Sequence, residues 1–89
     1  MFMPDFIRNL DEWIVLLLAE EFHQSATPTM IVQRTGYGEG DVLASIGVLE
    51  RMKAIKVIRN ISLASTIEKI GLVPNGQRMY EELKRRSGT

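Results

Sequence analysis

The stretch TPTMIVQRTGYGEGDVLASIGVL, from Thr27 to Leu49, contains two helix patterns separated by a glycine-rich turn. Thr27 is a preferred N-cap residue, and Pro28 suits the first helical position because the N–H that proline lacks has no helical partner there. Gly36 follows the last helical residue, at the position where a helix often ends in a left-handed backbone conformation that favours glycine. The sequence therefore predicts a helix over Pro28–Thr35. We expect its inward side chains to be Ile31 and either Met30 or Arg34.

A longer helix is predicted after the turn, over about Glu39–Lys53. Val42, Ile46 and Leu49 are spaced four and three apart, which places them on one core-facing stripe. Acidic residues near the start and basic residues near the end suit the helix dipole. The opposite stripe consists of three small residues and one cation, and these are Gly40, Ala44, Gly47 and Arg51.

Another helix is predicted upstream from apolar residues at helical spacing, which are Leu10, Trp13, Ile14, Leu17 and Leu18. Two starts are open. Pro4 favours a helix over about Asp5–His23, whereas Asn9 can cap a later start while Glu12 reaches back to it.

The downstream part changes to a β pattern. The segments 55–61 and 67–73 are rich in β-branched residues and predict two strands, joined as a hairpin by the polar loop Ser62–Thr66. Asn75 is the expected cap of a last helix over Gln77–Arg86. Met79, Tyr80 and Leu83 share one face of that helix.

Length and composition narrow the function classes. We expect one domain over residues 1–89, because 89 residues make a short chain. There is no cysteine, the longest apolar run is far shorter than the ~20 residues of a membrane span, and no signal peptide is evident, so we expect a cytoplasmic protein. His23 has no second histidine and no recognisable catalytic partner. We therefore expect that the protein is not an enzyme, that it binds no metal or cofactor, and that it has no evident small-molecule ligand.

Charge is unevenly distributed along the chain although the net charge is zero. Residues 1–50 carry two bases and eight acids, which is 2 − 8 = −6, and residues 51–89 carry nine bases and three acids, which is 9 − 3 = +6. Such asymmetry suggests an acidic face and a basic face that could meet phosphates. The alternative is that folding mixes the two halves and the field cancels.

Three motifs carry a resemblance to a known family. They are VQRTGYG at 32–38, the apolar positions of the third helix running through LERMKAI at 49–55, and LVPNG at 72–76. In this order the chain resembles, over roughly residues 10–86, the winged helix-turn-helix regulators of bacteria, archaea and their viruses. Val73 replaces the threonine usual in the last motif, and the loop Ser62–Thr66 has no basic residue.

The resemblance implies an α+β, mostly helical fold with three helices, a two-stranded wing and a C-terminal helix. It also implies a small transcriptional regulator, a repressor, that binds double-stranded DNA sequence-specifically, with the third helix in the major groove and the wing on the backbone. The expected DNA-contacting residues are Gln33, Arg34, Thr35, Tyr37, Gly40, Leu43, Ala44, Arg51, Lys53, Lys56, Arg59, Asn60 and Lys69.

Two further expectations concern partners. A homodimer through Phe2, Phe6, Met79, Tyr80 and Leu83 would place two third helices about 34 Å apart on DNA. The alternative function is a winged helix that binds protein and not DNA. Acidic Glu39 and Asp41 at the head of the third helix, its small-residue face and the uncharged loop favour that alternative.

Overall fold

The computed structural model describes residues 3–60 and 66–88. Its elements in chain order are α1 (Leu10–Glu20), β1 (Ser25–Ala26), α2 (Pro28–Thr35), α3 (Glu39–Arg51), β2 (Ile55–Asn60), β3 (Thr66–Leu72) and α4 (Pro74–Arg86). The strands form an antiparallel sheet in the order β1-β3-β2. The predicted α+β winged-helix class, with three helices, a hairpin and a last helix, is confirmed.

Helix α1 starts at the later of the two predicted positions. The Asn9 side chain accepts the N–H of Glu12 at 3.0 Å, and the Glu12 carboxylate accepts the N–H of Arg8 at 2.8 Å. These bonds satisfy donors that a helix start leaves open, so the start at Asp5 was wrong. The predicted end at His23 was also wrong, because His23 and Gln24 adopt positive φ angles of 53° and 82°, which no right-handed helix contains.

Strand β1 was not predicted, since Ser25–Ala26 was interpreted only as a break between helices. Ser25 pairs with Gly71 and Ala26 with Ile70, which makes β1 the edge strand beside β3. A strand of two residues is too short to show an alternating pattern.

Helix α2 has the predicted bounds. The Thr27 side chain accepts the N–H of Met30 at 3.2 Å, and Gly36 ends the helix in the left-handed region at φ 76°. Ile31 is fully buried, as predicted. Of the two open choices for the second inward residue, Arg34 is half-buried and Met30 is exposed.

The core joins all the helices to the inner face of the sheet. Its largest fully buried side chains include Trp13, Ile14, Leu18, Ile31 and Ile70. The predicted stripe of α3, Val42, Ile46 and Leu49, is also fully buried, so this helix is fixed by one face and presents the other outward. The hydroxyl-bearing Ser45 is buried as well, which the spacing did not indicate.

The hairpin β2–β3 contains a register irregularity. Ile58 pairs with Lys69 and Arg59 pairs with Ile67, so Glu68 is an extra residue on β3. Of the predicted loop Ser62–Thr66, positions 62–65 lie outside the described residues, as does Ile61 at the predicted end of β2. Thr66 belongs to β3.

Helix α4 begins three residues earlier than predicted. Its first residue is Pro74 and its N-cap is Val73, so the prediction that Asn75 caps it was wrong. Proline is favoured at the first helical position, where its fixed φ is already helical. The start is also fixed by packing, because a Cβ on Gly76 would lie 2.1 Å from the carbonyl oxygen of Ala54. A side chain could not fit at this position without moving backbone.

Candidate nucleic-acid interface

The exposed face of α3 is narrow and largely without long side chains. Gly40, Leu43, Ala44 and Arg51 are exposed, and Gly47 is half-buried. Nothing lies within 4 Å of a Cβ built on Gly40, so no part of the described chain packs on the first turn there. The outward stripe predicted for α3 is therefore available to a partner, with the Arg51 cation at its C-terminal end.

The head of α3 is acidic and has no side-chain cap. The N-cap residue is Gly38, which has no side chain to accept a hydrogen bond from the first turn. Glu39 and Asp41 lie in that turn. Both carboxylates are exposed and form no ion pair within residues 3–60 and 66–88. They favour the positive end of the helix dipole and repel phosphate.

Arg34, a predicted DNA contact, is engaged within the protein. Its guanidinium donates two hydrogen bonds of 2.7 Å to the carboxylate of Glu21 and lies 5.9 Å from the centre of the Trp13 ring. The hydrogen bonds from Arg34 and its charge hold the pKa of the Glu21 carboxyl below its usual value, although burial works in the opposite direction. This geometry joins the end of α1 to α2.

Thr35 and Tyr37, two other predicted contacts, lie partly or fully inside the fold. Thr35 is buried, and its hydroxyl donates to the carbonyl of Ile31 at 2.8 Å and accepts the N–H of Tyr37 at 3.2 Å. The half-buried Tyr37 packs its ring edge-on against Trp13, with the ring centres 6.2 Å apart. The Thr35 hydroxyl is therefore a structural group of the turn and is not presented to DNA. Gln33, by contrast, is exposed on α2.

Four predicted cations form what we call the basic edge, consisting of Arg51, Lys53, Lys56 and Lys69. All four are exposed, and none forms an ion pair with any described residue. They lie at the end of α3, in the following turn and on the two hairpin strands. Lys53 adopts a left-handed backbone conformation with φ 61°, which is unusual for a residue with a side chain.

Arg59, although on the same hairpin, is paired. Its two terminal nitrogens donate to both carboxylate oxygens of Glu50 at 3.0 and 2.9 Å. The hydrogen bonds from Arg59 and its charge lower the pKa of the Glu50 carboxyl, although burial works in the opposite direction. The neighbouring Asn60 is half-buried at the end of β2, opposite Thr66.

Sequence reasoning missed Glu50, and a signal for it was present. A carboxylate in the last turn of a helix is opposed by the helix dipole, so Glu50 is electrostatically misplaced unless a cation accompanies it. The opposite charge in the next element, at Arg59, was the available clue.

The two oppositely charged halves of the sequence fold partly against each other. Besides Arg59–Glu50, Arg86 contacts Glu12 at 2.7 Å and Lys84 contacts Glu20 at 3.4 Å. The Tyr80 hydroxyl donates to Glu20 at 2.8 Å, and Arg86 also donates to the Phe6 carbonyl at 3.0 Å. We call the set Glu12, Glu20, Tyr80, Lys84 and Arg86 the α1–α4 seam. The seam neutralises part of the basic half and leaves the basic edge without an acidic partner among the described residues.

The residues predicted for dimerisation differ in their exposure. Leu83 is buried in the core of this chain, while Phe6, Met79 and Tyr80 are half-buried against it. Phe2 lies outside the described residues. Leu83 is therefore occupied within one chain, and the other described residues keep part of their surface.

Two further structural findings concern metals and membranes. Within residues 3–60 and 66–88, no cluster of three or more His, Cys, Asp or Glu side chains is arranged to hold a metal ion. None of the described helices has the length and apolar character needed to cross a membrane.

Comparison with known proteins adds evidence on the fold. No family model and no curated protein matches the sequence. Among solved structures, BpsR of Bordetella bronchiseptica, whose DNA binding is regulated by 6-hydroxynicotinic acid, superposes with a TM-score of 0.78 at 17% identity over 97% of this chain. The adhesin competence repressor AdcR of Streptococcus pyogenes gives 0.72 at 16% identity over 92%, and ZitR of Lactococcus lactis gives 0.71 at 17% over 99%.

These neighbours are longer proteins. The chain spans 64% of BpsR, 58% of AdcR and 57% of ZitR, which is less than two thirds of each. The element order, the antiparallel sheet and these superpositions agree, and the chain has the winged helix-turn-helix fold that occurs in these regulators.

Proposed function

We propose that this protein is a small transcriptional regulator, a repressor, that binds double-stranded DNA sequence-specifically and performs no catalysis. The observation that carries the proposal is the arrangement around α3. One face of α3 is fixed in the core and the other is open. The basic edge, whose cations meet no acid within residues 3–60 and 66–88, begins in the last turn of α3. The DNA-binding regulators among the fold neighbours support this assignment.

The open face of α3 suits the major groove. The groove is about 12 Å wide and admits a helix, and small side chains at Gly40 and Ala44 allow the helix backbone to approach base edges closely. Leu43 is 39% exposed and can contact a thymine methyl group. Arg51 supplies a guanidinium for a guanine edge or a phosphate at the far end of the same stripe.

The other members of the basic edge suit the phosphate backbone. Lys53, Lys56 and Lys69 are point charges on a turn and two strands, and such contacts position a protein on DNA without reading its sequence. Gln33, exposed on α2, supplies a further neutral donor, whereas the Tyr37 hydroxyl donates to the Met3 sulfur at 4.0 Å within the fold. We omit Thr35, because its hydroxyl is buried and hydrogen-bonded. We expect Arg34 to act through its contact with Glu21 and Trp13.

The proposed assembly is a homodimer of one-domain chains in the cytoplasm. Phe6, Met79 and Tyr80 retain exposed surface near the α1–α4 seam, where a two-fold contact would add to the burial each chain achieves alone. Two α3 helices would then lie about 34 Å apart and require a palindromic site. Sedimentation at tens of micromolar tests this, and a monomer there contradicts the dimer without affecting DNA binding.

The function itself is tested by fluorescence anisotropy with a random-sequence duplex of about 30 base pairs at roughly 50 and 200 mM salt. We expect non-specific Kd values of about 10⁻⁴–10⁻⁶ M that rise steeply with salt, because lysines displace condensed counterions. Selection from a random library would then identify the operator. Folded protein that does not bind duplex at the lower salt contradicts the proposal.

A second candidate function is protein binding without DNA binding. Glu39 and Asp41 at the head of α3 favour it, because they have no ion-pair partner among the described residues and repel a DNA phosphate near them. Replacing both with Gln and Asn separates the two functions. A DNA-binding protein should bind random duplex more tightly after this change, whereas a protein-binding module should show no duplex affinity before or after it.

A further inference from the structure

The Arg59–Glu50 pair joins the recognition element to the wing at the position where the strand ladder is irregular. Glu50 lies in the last turn of α3, and Arg59 follows the register shift between Ile58 and Arg59 on β2. Both nitrogens of the guanidinium end are directed to the one carboxylate, at 3.0 and 2.9 Å. Paired this way, the two side chains present no net charge to the surroundings.

The exposure of the two side chains and the helix dipole both indicate that this pair contributes little to the stability of the fold. The side chains are 42% and 37% exposed, and exposed ion pairs contribute little because water and salt screen them. Glu50 is also at the helix end where a negative charge is disfavoured. The clearest effect of the pair is therefore on the charge of the hairpin surface.

That surface is where phosphate contacts are proposed. The neighbouring cations Lys56 and Lys69 have no acidic partner in the part of the chain that the structure describes, whereas Arg59, which has the best phosphate-binding side chain of the hairpin, is neutralised. The guanidinium has further N–H donors, but a phosphate reaching them would also approach the Glu50 carboxylate. Like charges at such separations repel, so Glu50 weakens any contact between Arg59 and the backbone.

From this geometry we propose that Glu50 restrains non-specific DNA binding by withholding the Arg59 guanidinium from phosphate. This inference rests on the proposed function. Fewer phosphate contacts lower the sequence-independent part of the affinity, on which specificity in a genome depends. Glu50 then acts on specificity by positioning Arg59, without itself touching DNA.

The test is the salt dependence of binding to a random-sequence duplex by Glu50→Gln, which keeps the shape of the side chain and removes its charge. One released guanidinium makes the negative slope of log K against log salt steeper by about 0.9, which is an extra loss of about 3.5-fold in affinity between roughly 50 and 200 mM. We expect Glu50→Gln to bind more tightly than the parent at the lower salt. Arg59→Gln should have the parent slope, and the double variant should return to it.

The matched control is Glu82→Gln. It changes the net charge equally and breaks a similar exposed pair with Arg85, but it lies on α4, away from α3 and the hairpin. We expect its slope to equal that of the parent. If Glu82→Gln steepens the slope as much as Glu50→Gln, net charge and not the Arg59 pair is responsible, and the proposal is overturned.

Two other results also overturn it. A lower slope for Arg59→Gln alone would show that Arg59 already contacts phosphate in the parent, and an unchanged or weaker Glu50→Gln would show that nothing is withheld. In both cases the parent still binds duplex, so the proposed function stands. If folded parent and variants all fail to bind duplex, the proposed function itself is wrong. Circular dichroism spectra of each variant establish that it is folded.

Discussion

The α1–α4 seam and the basic edge draw cations from the same strongly basic part of the chain, residues 51–89, and use them differently. In the seam, Arg86 and Lys84 meet acids of α1, and the Arg86 and Glu12 side chains are only 28% and 16% exposed. In the basic edge, four cations meet no acid among the described residues. The charge of a segment therefore does not identify a binding surface, because its folded neighbours decide which charges stay available.

The largest expected effect lies outside both regions, at the glycine that fixes α4 and with it the seam. Gly76→Ala introduces a Cβ 2.1 Å from the Ala54 carbonyl oxygen and 2.5 Å from Leu72, so backbone must move. We expect a loss of about 3 kcal/mol in the free energy of unfolding, measured by urea denaturation. Gly40→Ala is the control, because its Cβ meets nothing within 4 Å and should stabilise α3 by about 0.5–1 kcal/mol. Equal stabilities would contradict this packing.

The seam is expected to contribute stability. Arg86→Gln removes the bonds to Glu12 and the Phe6 carbonyl and should lower the free energy of unfolding by about 1 kcal/mol near neutral pH. The corresponding change in the basic edge, Lys69→Gln, should leave thermal stability nearly unchanged. A seam variant as stable as the parent would remove the contrast between the two regions.

The seam should also make stability depend on acid. Burial alone raises the pKa of the Glu12 carboxyl, but the Arg86 hydrogen bond, the Arg8 N–H and both charges outweigh burial and keep that pKa below its ordinary value of 4.5. A carboxyl whose pKa is lower in the folded state than in the unfolded state contributes stability at pH values above its unfolded-state pKa. This stability is lost as the pH falls through its folded-state pKa. We therefore expect stability to fall below about pH 4.5. Glu12→Gln should make the decline shallower, and urea midpoints at several pH values measure it.

The basic edge is expected to affect DNA and not the fold. Lys56→Gln and Lys69→Gln should each lower the salt slope for random duplex by about 0.9, since each lysine releases a condensed counterion on binding. The same change at Arg78, an exposed cation on α4, is the control and should leave the slope unaltered. Equal losses at all three positions would mean that binding follows net charge and not the proposed surface.

The smallest stability change for which we expect a definite sign is at Lys53. Its left-handed backbone costs about 1–2 kcal/mol for a residue with a side chain, and glycine avoids this cost but loses more entropy on folding. Lys53→Gly should therefore raise stability by about 0.5 kcal/mol while lowering the salt slope for DNA by about 0.9. Opposite signs in the two measurements would indicate that a strained residue is kept for its charge. A variant that gains stability and binds like the parent would exclude Lys53 from the interface.

Features of the fold that depend on interactions between sequence neighbours were predictable, and features that depend on contacts between distant residues were not. The bounds of α2 were predicted because Thr27, Pro28 and Gly36 act on their own neighbours. Asn75 was wrongly predicted as a cap, because Pro74 starts the helix one residue before it and the packing of Gly76 on Ala54 is invisible in a local pattern. Strand β1 exists only through pairing with β3, more than forty positions away in the chain.

The candidate site was less predictable for the same reason. Lys56 and Lys69, two of the predicted DNA contacts, are exposed on the hairpin strands. The partners of Arg34 and Arg86 are 13 and 74 positions distant, so their neutralisation could not be derived from spacing. Both alternatives left open by the charge pattern occur, because the α1–α4 seam pairs opposite charges and the basic edge meets no acid among the described residues.

The carbonyl of Ala54 has a mechanical consequence. This one oxygen accepts the N–H of Val73 at 3.2 Å and lies directly under Gly76, immediately after the turn that ends α3. The residue after β3 and the first turn of α4 thus both contact a single peptide group, and Gly76 packs against it without room for a side chain. The start of α4 and the strand that follows α3 are therefore held together through this peptide group.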